Sequence, residues 1–109
     1  MNCLNSLIIE GVVSGEPHYE ELGGAGQVTF TTVVPRYYKN RAGEGVEEKS
    51  SFKVIGFGSM CSLRLVDGAG VRIVGRLKQN IWTDSEGVSH SEVQIVAEHI
   101  EIRKTSKGA

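Results

Sequence analysis

Five stretches rich in β-branched and aromatic residues leave one interval that can hold a helix, and this arrangement most constrains the fold. Leu4 to Val13 is a β-rich run with apolar residues on both faces, followed by a glycine-rich loop through Gly23-Gly24-Ala25-Gly26. Val28 to Val34 is the second run. Pro35 then interrupts the hydrogen-bond ladder and marks a bulge or an edge, so side-chain parity is not carried from Phe30 to Tyr37 and Tyr38. Ser50 to Phe57, Val71 to Trp82 and Ser91 to Ile102 complete the set. The turn signal Asp84-Ser85-Glu86-Gly87 joins the last two into a hairpin over Leu77 to Ile95. Ser59 to Val66, ended by Asp67-Gly68, is the interval for a short helix.

An all-β chain of five strands with one short helix between the third and fourth has the order of an OB-fold, a small Greek-key barrel. With 109 residues the chain is one domain's worth, assigned to residues 1–102, with a short, polar, frayed end over 103–109. Hydrophobic residues make up 39%, with 14 glycines and two prolines, a globular and turn-rich composition. No apolar run approaches the roughly 18–20 residues of a membrane span. Met1-Asn2-Cys3-Leu4 lacks the basic and apolar regions of a secretory signal, so a cytoplasmic location is expected.

Catalysis finds little support in the residues. Cys3 and Cys61 form no CxxC pair, and His18, His90 and His99 are scattered without ligand spacing, so no metal or other cofactor is expected. No nucleophile elbow or phosphate loop is present, and no helix signal follows the glycines at 23–26.

Binding is better supported. Arg36, Tyr37, Tyr38, Lys39 and Arg41 precede a Gly43-Glu44-Gly45 turn, and Lys49, Phe52, Lys53 and Phe57 follow it, forming a hairpin whose arms carry cations and rings. Cations attract a phosphate backbone and rings offer faces for unpaired bases, a combination suited to single-stranded nucleic acid. Alternation puts Ser51, Lys53, Ile55 and Phe57 on one face and Phe52, Val54 and Gly56 on the other, with Phe52 toward the core. In the fourth run it sends Val71, Ile73 and Leu77 inward and turns Arg72, Arg76, Lys78, Asn80 and Trp82 outward. The net charge of −1 is not that of a strongly basic domain, yet Val71 to Trp82 contains three cations and no acid.

The ordered pieces Leu7-Ile8-Ile9-Glu10-Gly11, Phe30-Thr31, Arg36-Tyr37-Tyr38-Lys39, Phe52-Lys53-Val54-Ile55-Gly56-Phe57-Gly58, Val74-Gly75-Arg76-Leu77 and Trp82-Thr83-Asp84 resemble bacterial single-stranded DNA-binding proteins. The resemblance covers Met1 to about Ile102. It implies an OB-fold that wraps unpaired DNA with little sequence preference, as a homotetramer and without catalysis, in replication, recombination and repair. Position by position, Tyr38 or its neighbour Tyr37, Phe57 and Trp82 match base-stacking positions. Arg36, Lys39, Lys53, Arg76 and Lys78 lie at or beside cationic ones, and Arg72 joins them by its outward parity.

Three departures qualify the match. Ser51 precedes Phe52 where the family has two consecutive bulky residues, so one stacking platform is missing, a loss of about tenfold or more in affinity at roughly 1–3 kcal/mol per base. The segment between Phe57 and Gly75 is a few residues short. The chain stops at Lys107-Gly108-Ala109 where the family continues to an acidic tip, so either the native protein lacks the tip or this chain is a fragment, which puts recruitment of replication and repair partners in doubt. An OB-fold protein-interaction or replication-restart accessory subunit is the rival reading. A homo-oligomer is expected, because Leu4 to Val13 and the outer positions Ile100 and Ile102 leave apolar surface that one small barrel hardly covers.

Overall fold

Alternating side chains become a core where the strands wrap around a closed surface. The structure, a computed structural model, describes residues 1–103 apart from the side chain of Leu22. Strands β1 (Leu7–Leu22), β2 (Ala25–Lys39), β3 (Gly45–Phe57), β4 (Gly70–Thr83) and β5 (Ser89–Arg103) close into a barrel in the order β1-β2-β3-β5-β4. All ladders are antiparallel except the short parallel seam between β3 and β5, where Val54 pairs with Ile95 and Ile55 with Val96. The expected all-β, five-stranded OB barrel is present. β5 runs to Arg103, and the rest of the expected frayed end, 104–109, lies outside the described residues.

Val13, Val28, Phe30, Val54, Val71, Ile73, Ile95, Ala97 and Ile100 point inward and pack with Leu65. Burying each large aliphatic side chain contributes about 1.5–3 kcal/mol, which makes this cluster the main source of stability. Two glycines let strands cross closely around it. A Cβ at Gly11 would strike the Val33 carbonyl oxygen, and one at Gly75 would strike that of Val96.

Both long strands that bend do so at bulges. In β1, Ser14 pairs with Thr31 and His18 with Thr29, so Gly15, Glu16 and Pro17 oppose a single β2 residue. The strand therefore continues well past Val13, the end expected from sequence. It pairs with β4 through Leu7 to Val12 and then with β2, up to a tight turn at Gly23-Gly24, whose φ angles of 60° and 85° suit glycine. In β5, the step from Val74–His99 to Gly75–Ala97 leaves Glu98 unopposed. Ala97 and Ile100, three residues apart, both face the core as a result. Ile100, expected on the outer surface, is 4% exposed, whereas Ile102 is 42% exposed.

The expected helix over Ser59 to Val66 is a single 3-10 turn, Gly58–Ser62, with no side-chain cap. Serines and a cysteine after a glycine are poor helix formers, and five residues cannot sustain an α-helix. The segment still closes the barrel: Leu65 is buried, and Met60, Cys61 and Leu63 pack against the core.

Two arms project beyond the barrel. Pairing of β1 with β2 stops at Val12–Val33, while β2 and β3 stay in register from Gln27–Phe57 through Pro35–Lys49 to Lys39–Gly45. Pro35 thus lies on an edge where a missing N–H removes no rung. Pairing of β1 with β4 stops at Leu7–Gly75, while β4 and β5 continue to Thr83–Ser89. Out on the arms, alternation still reports the side of the sheet but no longer burial. Phe52 and Leu77, both expected in the core, are 37% and 47% exposed.

Candidate nucleic-acid interface

Register places the outward residues of three strands on one surface. Val96 opposes both Ile55 of β3 and Arg76 of β4, and Lys78, Asn80 and Trp82 oppose Gln94, Glu92 and His90 of β5. Lys53 and Phe57 flank Ile55 on the same side of β3. The surface across β3, β5 and β4 therefore carries Lys53, Phe57, Arg76, Lys78 and Trp82 together. Phe57 and Trp82 are each nearly half exposed. Among the described residues, neither Arg76 nor Lys78 is in an ion pair.

An acid also stands on this surface. Lys53 Nζ lies 3.6 Å from Glu92 Oε1, and Gln94 Nε2 donates to the same oxygen at 2.7 Å. The Gln94 hydrogen bond, with Lys53 assisting, holds the Glu92 carboxyl below its ordinary range. Beside it, Glu16 from the β1 bulge, Thr31, Ser51, Phe52, Lys53 and Glu92 are among the residues lining an open hollow of about 360 Å³. Ser51, where sequence suggests a missing stacking platform, is one wall of that hollow.

Trp82 is not a free-standing ring. Its indole stacks on His90 with centroids 5.4 Å apart and planes 20° from parallel. His90 Nε2 lies 2.8 Å from Asp84 Oδ2. The other carboxylate oxygen, Oδ1, accepts from the backbone N–H groups of Glu86 and Val88, both at 2.9 Å. The His90 contact first, then these backbone donors, hold the Asp84 carboxyl below its usual value.

On the β2–β3 arm the unbroken register settles the parity left open at Pro35. Tyr37 falls on the side of Lys53 and Phe57, and Tyr38 falls on the opposite side with Arg36. The Arg36 guanidinium sits 5.4 Å from the Tyr38 ring centroid and 3.9 Å from Glu48. Tyr37, 72% exposed, stands opposite Glu47 on the neighbouring strand, whose carboxylate raises the phenol's pKa. With Lys39, both tyrosines line an open hollow of about 420 Å³ near the tip. Asn40 shapes that tip, its Oδ1 accepting from the N–H groups of Ala42 and Glu44 at 3.0 Å.

Arg72 is engaged elsewhere. Its Nη2 lies 2.6 Å from Glu10 Oε2 and its Nη1 3.6 Å from Glu101, while Arg103 reaches Glu10 at 3.1 Å. The Arg72 hydrogen bond holds the Glu10 carboxyl below its ordinary range. Outward parity brings Arg72 to the right side of β4, but at the flank of β1, where acids already neutralise it.

His90, Glu92 and Asp84 were not among the residues that sequence singles out for this surface. Counting outward from the Asp84–Gly87 turn, with Thr83 opposite Ser89, would have put His90 opposite Trp82. Among the described residues no group of three or more His, Cys, Asp or Glu could hold a metal ion, and no helix is long and apolar enough to cross a membrane.

The architecture is that of an OB-fold barrel bearing exposed rings and cations on one β surface. Comparison with known proteins narrows this further. The profile of the single-strand binding protein family matches residues 4–103. A single-stranded DNA-binding protein of Aquifex aeolicus (strain VF5) is 37% identical over 110 residues, covering 97% of this chain and 74% of its own. The chain belongs to the single-strand binding protein family.

Solved structures agree on the fold. The Plasmodium falciparum SSB, in complex with ssDNA, superposes with a TM-score of 0.87 at 18% identity, over 95% of this chain and 98% of that one. The small single-stranded DNA-binding protein of Streptomyces coelicolor gives 0.73 at 23% identity, over 94% and 96%.

Proposed function

We propose that this chain binds single-stranded DNA with little sequence preference, and that it does so without catalysis. The observation carrying this reading is the joint projection of Lys53, Phe57, Arg76, Lys78 and Trp82 from one surface. Cations along the surface attract phosphates and release their counterions, and the exposed rings then take the faces of unpaired bases. Every base has such a face, so the contact is tolerant of sequence. Tyr37 and Lys39 extend the track along the β2–β3 arm, with Arg36 and Tyr38 as secondary contacts on its other side, while Arg72 contributes little because Glu10 and Glu101 hold it.

Bound in this way, the protein keeps unpaired strands from reannealing and shields them during replication, recombination and repair, in the cytoplasm and on the nucleoid. Ile8 on the outer side of β1 is 67% exposed, and such apolar area supports assembly with further copies, as a homotetramer.

Titration with oligo-dT at low and high salt, following fluorescence of Trp82, the only tryptophan of the chain, tests the reading. Saturating quenching that weakens with salt and is absent with duplex DNA is expected. A folded sample that fails to bind at low salt would overturn it in favour of a protein-interaction module.

A further inference from the structure

We infer that His90 is a positioning residue for Trp82: clamped by Asp84, it covers one face of the indole and holds the ring so that the opposite face is open to a base. The inference rests on the single-stranded DNA reading above and goes beyond it, because His90 offers no cation or stacking face of its own in that scheme.

Geometry carries the argument. Trp82 lies on the β4–β5 arm, past the last rung between β4 and β1 at Gly75, so no barrel core supports its ring. The cross-strand imidazole does so instead, at 5.4 Å and 20° from parallel, a stacked arrangement. The imidazole is itself fixed, because Asp84 Oδ2 holds its Nε2 at 2.8 Å while Asp84 Oδ1 is held by two backbone donors of the turn. A chain of contacts thus runs from turn backbone to carboxylate to imidazole to indole. An indole that already occupies its stacking rotamer loses less freedom when a base arrives. Immobilising one such side chain on binding corresponds to about two- to tenfold in affinity.

The charged groups facing His90 are few. Asp84 bonds it from the turn, and Glu92 lies two residues along β5, paired to Lys53 of β3. From β4 the facing residues are Trp82 and Asn80, which carry no charge.

The test is a double-mutant cycle on oligo-dT affinity at fixed salt, with His90→Ala, His90→Phe, Trp82→Ala and the His90→Ala/Trp82→Ala double variant. His90→Ala should weaken binding about two- to tenfold, and His90→Phe, which keeps a flat ring, should restore most of it. In the Trp82→Ala background, His90→Ala should cost nothing further, which a general structural role would not produce. An equal loss from His90→Ala in both backgrounds, or no loss in the parent, overturns the inference while leaving DNA binding intact. Failure of the parent itself to bind oligo-dT removes the functional reading and this inference with it.

Discussion

Lys53 of β3 meets Glu92 of β5 beside the parallel seam, Nζ to Oε1 3.6 Å, so an acid occupies a cation in the middle of the proposed DNA surface. A phosphate approaching Lys53 must displace that carboxylate. Glu92→Gln should therefore tighten oligo-dT binding by about two- to fivefold, the range of an exposed pair. It should also steepen the fall of log K with log salt by about 0.7 if one further phosphate is engaged. Weaker binding, or an unchanged slope, would show that the pair organises the surface without competing for DNA.

The stacking rings can be ranked by substitution. Trp82→Ala and Phe57→Ala should each weaken oligo-dT binding by about tenfold or more, with thermal unfolding little changed because both rings are exposed. Filter binding and calorimetric melting on the same samples check both halves of the claim.

Tyr37 and Tyr38 should separate. Tyr37 shares its side of the arm with Lys53 and Phe57, whereas Tyr38 lies on the other side with Arg36 against its ring. Tyr37→Ala should cost about tenfold in affinity and Tyr38→Ala clearly less. The reverse order in direct titrations would place the DNA path on the far side of the arm.

Gly75→Ala should be severely destabilising although alanine is small, because its Cβ would meet the backbone oxygen of Val96, which cannot swing aside. A loss of about 1–3 kcal/mol or more is expected in urea denaturation. Gly45→Ala, with nothing near its Cβ position, is the matched control and should be close to neutral.

Acid should weaken the fold partly through Glu10. Its folded pKa is depressed by Arg72, so its contribution is fully present above its ordinary value of 4.5 and fades as pH falls from there through the folded value. Glu10→Gln should lower stability at neutral pH and flatten the decline in this acidic window. Denaturation midpoints for both proteins across pH 2–7 would decide it; parallel curves would show that Glu10 plays no part.

Much of the barrel was legible in sequence because period-2 alternation is a local property. Val54 and Gly56 against Lys53 and Phe57, or Val71 and Ile73 against Arg76 and Lys78, could be assigned strand by strand. Ile100 could not, since the Glu98 bulge that turns it inward exists only against Gly75 of another strand. Phe52 and Leu77 were assigned to the correct side, but burial there depends on where β1 stops pairing, which no local pattern records. The same limit applies to the surface: the cations of β4 were found by parity, whereas the neutralisation of Arg72 needed Glu10, 62 residues away.

Asn5 and Pro35 bear on a hazard that long projecting hairpins carry. Unpaired strand edges invite other chains to add on and grow into aggregates. Asn5 imitates a neighbouring strand at the first rung of β4 beyond the barrel, its Nδ2 donating to the Leu77 carbonyl at 2.8 Å and its Oδ1 accepting from the Leu77 N–H at 3.0 Å. Pro35 removes a donor from the corresponding edge of β2. Each arm is thus blunted close to where it leaves the barrel, so that the protein can extend its arms while discouraging uncontrolled strand addition between copies.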